Sequence, residues 1–65
     1  MAEDRLTMAE RHVREGRLTV ARQRELVARQ KALGLDTAAS QSLLAEFEHS
    51  LAGFEEHLDL IRNET

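Results

Sequence analysis

The sequence predicts an all-α protein, an antiparallel hairpin of two long helices, and three observations predict it. Proline is absent from the 65 residues. Ala, Leu, Arg, Glu and Gln are abundant and β-branched runs are scarce, which favours helix over strand. Two stretches of seven-residue apolar periodicity flank one short glycine-containing break.

The first helix is expected over about 2–33. Its heptads begin at Val13, Val20 and Val27, with Leu6 one repeat earlier. With the valines at position a, position d holds Ala9, Gly16, Gln23 and Gln30, and Leu26 and Leu33 widen the stripe at g. That seam is small and rather polar. Gln23 and Gln30 either sit in a core, where a polar pair fixes register at some cost in stability, or lie on its rim in contact with water. Two starting points suit the helix. A start at Ala2 places Glu3 and Asp4 near the positive end of the helix dipole, whereas Thr7-Met8-Ala9-Glu10 has the spacing of a capping box.

The break is expected at 34–37, Gly34-Leu35-Asp36-Thr37. Gly34 suits the left-handed conformation that closes a helix, and Asp36 or Thr37 suits the cap of the next. A connection this short makes the two helices antiparallel neighbours. The second helix, expected over about 37–63, has bulkier seam residues: Leu44, Leu51 and Leu58 at a, and Phe47, Phe54 and Ile61 at d. A 3-4 spacing sustained over three heptads marks a helix packed along one stripe. Folding the chain about Leu35 and Asp36 sets Val13 beside Leu58, Val20 beside Leu51 and Val27 beside Leu44. Gly16 then faces Phe54 and Gln23 faces Phe47, so small residues meet large ones.

Assembly is the next expectation. A domain this small buries only roughly 60% of the surface its unfolded chain exposes, and with no cysteine it has neither disulfides nor thiolate metal ligands. A lone hairpin leaves Phe47, Phe54, Leu43, Leu26 and Leu33 wet on one side, and a homodimer forming a four-helix bundle would cover them. The dimer core would comprise Val13, Val20, Val27, Leu26, Leu33, Leu44, Phe47, Leu51, Phe54, Leu58 and Ile61. Charge supports the pairing of the two helices. Basic residues (Arg5, Arg11, Arg14, Arg17, Arg22, Arg24, Arg29, Lys31) dominate up to Gly34, and acids (Asp36, Glu46, Glu48, Glu55, Glu56, Asp59, Glu64) dominate after it, in a chain whose net charge is −3.

Other chemistries find little purchase. His12 and His57 approach the same end of the hairpin, but no clustered ligand motif accompanies them, and His49 falls at an outward position; no metal and no cofactor is expected. Arg17, Arg24 and Lys31 recur every seven residues and would form a basic ridge for nucleic-acid contact in a dimer. An architectural parallel is the plasmid repressor-of-primer protein, a four-helix hairpin dimer that binds RNA. No aromatic residue on that helix can stack a base, and the second helix supplies carboxylates as nearer partners, so nucleic acid is not the expected ligand. Leu18, Leu60 and Gly53 lie outward and form a candidate docking face for a partner protein. No nucleophile-histidine pairing, phosphate loop or deep pocket is legible, so no enzyme is expected. Apolar runs fall far short of the ~20 residues that span a bilayer, and Met1-Ala2-Glu3-Asp4 lacks the basic and apolar regions of a signal peptide, so the expected location is the cytoplasm.

The run from Val20 to Gln30, the turn Gly34-Leu-Asp-Thr37 and Leu43-Leu-Ala-Glu-Phe-Glu48 together resemble a group of short, uncharacterised bacterial helical-hairpin proteins. That resemblance covers most of the chain from Arg11 onward and implies the hairpin fold. It carries no catalytic or binding residues. The expected role is therefore a non-enzymatic structural or interaction module working through protein contacts, with RNA binding by the basic face of the first helix as the alternative.

Overall fold

The computed structural model describes residues 3–64 and contains two helices joined by a tight turn, α1 (Arg5–Ala32) and α2 (Ala38–Glu64). The chain is an all-α helical hairpin. Its 49 × 22 × 13 Å extents are those of two helices lying side by side, one helix thick.

Each helix end is closed by a specific device. Neither expected start of α1 is used: Ala2 lies outside the described residues, Glu3 and Asp4 precede the helix, and Thr7 is already inside it. Asp4 is the N-cap. Its backbone is extended (φ −76°, ψ 170°), and its Oδ1 accepts the Thr7 backbone N–H at 2.7 Å. Asp is among the strongest caps because its short side chain reaches back to an otherwise unpaired amide. The same bond holds the Asp4 carboxyl below its ordinary value of 3.8.

At the other end of α1, Leu35 N–H donates to the Gln30 carbonyl at 2.9 Å and Gly34 N–H to the Lys31 carbonyl at 3.0 Å. These are the two bonds of a Schellman closure, which needs a left-handed residue between them. Gly34 supplies it with φ +72°. The chain re-enters helix at once: Ala38 N–H donates to Asp36 Oδ1 at 3.0 Å, and Gln41 Nε2 donates to the Thr37 hydroxyl at 2.7 Å. Asp36 and Thr37 thus share the start of α2.

Among the described residues four ion pairs hold the helices in register: Arg5–Glu64 at the open end, then Glu10–Arg62, Arg17–Glu55 and Arg24–Glu48 toward the turn. All are exposed, at 3.3–3.7 Å, and worth about 0.2–1 kcal/mol each, so they select the pairing more than they drive it. Driving falls to apolar burial. Ala9, Val13, Leu58 and Ile61 form a closed cluster near the open end, with Leu6 and Leu51 packed on it. Val20 and Val27 continue the buried row of α1 toward the turn. On α2, only Leu58 and Ile61 are buried. The core therefore thins from the open end to the turn, and no large side chain is completely enclosed among the described residues.

Candidate interaction face

The two broad sides of the hairpin differ in chemistry. On one side, Arg17, Arg24 and Arg62 reach across to carboxylates of the opposite helix, so this side carries a charged zipper. The opposite side carries a shallow groove of about 210 Å³ lined by His12, Glu15, Gly16, Thr19, Phe47, Ser50, Leu51 and Phe54. Its floor exists because Gly16 has no side chain. A Cβ there would stand 3.1 Å from Leu51 Cδ1 and 3.5 Å from Phe54 Cδ2, so the facing of Gly16 and Phe54 expected from the sequence is present. His12 closes one end of the groove by lying against Phe54, with ring centroids 5.2 Å apart and a 34° tilt.

The heptad repeat carries this side along the molecule. Leu26 and Leu33 follow Thr19 at seven-residue steps, and Leu43 precedes Ser50 by seven. These leucines and Phe54 are large apolar residues left in water: Leu26 is 40% exposed, Leu33 68%, Leu43 39% and Phe54 36%. Leu44, Phe47 and Leu51 are half-buried at the seam. Of the residues expected in a dimer core, Val13, Val20, Val27, Leu58 and Ile61 are thus sheltered by the hairpin alone. Leu26, Leu33, Leu44, Phe47, Leu51 and Phe54 are wholly or partly open, and they belong to the groove or to the strip that continues it toward the turn.

The glutamines divide between the two settings considered for them. Gln23 is buried and donates from Nε2 to the Ser40 carbonyl at 2.9 Å. Its amide reaches toward the turn, because a buried amide needs a partner and a helix carbonyl keeps one lone pair to offer. Gln30 has its Oε1 enclosed without a hydrogen-bond partner in the hairpin.

The remaining singled-out residues are not gathered into a site. Among the described residues no group of three or more His, Cys, Asp or Glu side chains is placed to hold a metal, and the His12 ring is engaged by Phe54. Arg17 and Arg24 each meet a glutamate of α2, while Lys31 lies exposed in the last turn of α1. Leu18 lies level with Arg17–Glu55, whereas Leu60 lies near Glu10–Arg62 at the open end. The two exposed leucines are therefore about two helical turns apart along the hairpin, and Gly53 has nothing within 4 Å of its would-be Cβ.

Two features escaped the sequence reading. Asp4 was readable as a cap from its position just before the first ladder residue, Leu6. The segregation of charge and apolar surface had a signal too: in an antiparallel pair the e positions (Arg17, Arg24, Glu48, Glu55, Arg62) share one side and the g positions (Thr19, Leu26, Leu43, Ser50) the other. Glu3 adds a local tie of the same kind: its carboxylate accepts from Arg11 Nη2 at 2.8 Å, which holds Glu3 below its ordinary value of 4.5 and raises Arg11.

Compared with known proteins, the chain matches no family model, no curated protein and no solved structure. No described helix is long and apolar enough to cross a membrane.

Proposed function

We propose that this protein is a non-enzymatic interaction module that works by pairing with a second copy of itself to form a four-helix bundle in the cytoplasm. One observation carries the reading. The hairpin exposes 5034 Å², whereas a compact monomer of 7.4 kDa exposes roughly 4,200 Å² by the usual size scaling. The excess, roughly 800 Å², is the area one partner contributes to a standard stable interface. The partly open Leu26, Leu43, Phe47 and Phe54 account for its apolar character, and a second copy is the partner always present at matching concentration.

RNA binding by the basic helix is the weaker reading, because Arg17 and Arg24 already have carboxylate partners at 3.4 and 3.7 Å. Light scattering after size exclusion, across a concentration series, tests the assembly. A mass of twice 7.4 kDa is expected. A well-folded monomer throughout the series would overturn the reading, and the open stripe would then be a groove for a helix of another protein.

A further inference from the structure

We infer that the second copy docks on the Phe54–Leu26 side with its turn at the same end as the first copy's turn, so that each basic α1 lies against the acidic α2 of the other copy. This rests on the self-association reading above and adds to it the face and the direction of stacking.

The face follows from the division of surfaces. Stacking on the charged side would bury three ion pairs that are now solvated, and removing such charges from water costs more than their attraction returns unless geometry is ideal. Stacking on the other side covers Leu26, Leu43, Phe47 and Phe54, which water now touches, and meets one cross-helix ion pair, Arg5–Glu64, at its open end.

Apolar exposure runs the length of this side: Leu26, Leu33 and Leu43 are exposed toward the turn, and Met8 and Leu60, seven residues before Glu15 and fourteen after Glu46, toward the open end. Either direction of stacking sets apolar residues on apolar residues, so the direction falls to charge.

Charge chooses the direction. A two-fold axis along the hairpin sets α1 over the other copy's α2, whereas an axis across it sets α1 over α1 and α2 over α2. The Arg24–Glu48 pair and the Gly16–Leu51 contact put Arg22 and Glu46 at nearly the same height. Both are exposed, and they border the apolar side on α1 and α2 respectively, since Arg22 follows groove-lining Glu15 by seven residues and Glu46 precedes Ser50 by one turn. In the same-end stack Arg22 meets Glu46 of the other copy twice and each basic α1 lies on an acidic α2; the opposite-end stack sets Arg22 near Glu15 instead and lays the two basic helices on each other and the two acidic helices on each other.

The test uses the full chain carrying one spin label at Ala32→Cys, an exposed position at the end of α1, with helicity checked by circular dichroism. Same-end stacking puts the two labels roughly 15–30 Å apart, the diagonal of a four-helix bundle plus the label arms. Opposite-end stacking puts them near the 49 Å length of the molecule, and that result would overturn the inference while leaving the dimer intact. Monomeric mass at every concentration would remove the dimer and the inference together. As a second measurement, Leu26→Glu is expected to raise the dimer dissociation constant at least tenfold, because it places a charge in the covered face, and Leu18→Glu is expected to leave it unchanged. The reverse pattern would assign the contact to the outer surface of α1. Arg22→Glu is expected to weaken association about tenfold through its two symmetric pairs, and Arg22→Glu with Glu46→Arg to restore it; no rescue would overturn the stacking direction.

Discussion

Three glycines occupy three environments, and each environment predicts a different response to a side chain. Gly53 sits mid-helix with open space around it, so Gly53→Ala is expected to stabilise the protein by about 1 kcal/mol, the helix-propensity difference, measured by urea unfolding. Gly16 is the floor of the groove. A Cβ there already presses on Leu51 at 3.1 Å, so a branched side chain has to displace Leu51 and Phe54, and Gly16→Val is expected to destabilise by about 1–3 kcal/mol. Side-chain length also shows why the apolar side is open. Valine on α1 is short enough to be covered by one neighbouring helix, whereas Phe54 and Leu26 extend beyond the seam and keep one flank in water.

The helices owe their ends to single residues. Gly34 holds φ +72°, a region where a Cβ meets the following carbonyl, so Gly34→Ala is expected to cost about 1 kcal/mol and to lower the thermal midpoint without changing the mass of the assembly. Asp4 makes the start of α1 sensitive to acid. The Thr7 N–H holds the Asp4 carboxyl, and Arg11 the Glu3 carboxyl, below their ordinary values of 3.8 and 4.5. The folded state thus binds these protons less readily than the unfolded chain. Their contribution is complete above the ordinary values and is lost as pH falls through the lowered ones. Asp4→Ala is expected to lower the thermal midpoint by several degrees at neutral pH and to have a smaller effect in strong acid, where the wild-type cap is itself protonated; melts from pH 7 to pH 2 followed by circular dichroism would show an equal loss at both ends if Asp4 were not the cap.

Taken whole, the molecule is a one-helix-thick slab, 13 Å in its shortest extent, with a sealed core at one end and an unsealed apolar side. Such a body gains stability from association, so folding and dimer formation are expected to be linked. The thermal midpoint should therefore rise with protein concentration over a hundredfold range, whereas a self-sufficient hairpin would melt at one temperature throughout. High salt is expected to shift the midpoints modestly downward, because the covered side is mostly apolar but the two Arg22–Glu46 contacts at its rim are exposed and screened.

The hairpin was legible in the heptads because a seven-residue ladder of Val13, Val20 and Val27 facing Leu51 and Leu58 has one economical way to hide from water, and Gly34 marks where the chain must reverse. Charge halves of opposite sign were legible too, since they are a matter of counting along the chain. The start of α1 at Asp4 was missed because local signals at Thr7 and Ala2 competed, and a cap is decided by which side-chain oxygen reaches a free amide at 2.7 Å. The sidedness of the surface follows from the heptads once the helices are antiparallel, because e positions then fall on one side of the seam and g positions on the other. What only the tertiary structure decided is which contacts form there: Arg17, Arg24 and Arg62 reach carboxylates across the e side, while Gly16 lets Leu51 and Phe54 settle into a groove on the other, since side-chain reach and the rotation of α1 against α2 are not written in a linear pattern.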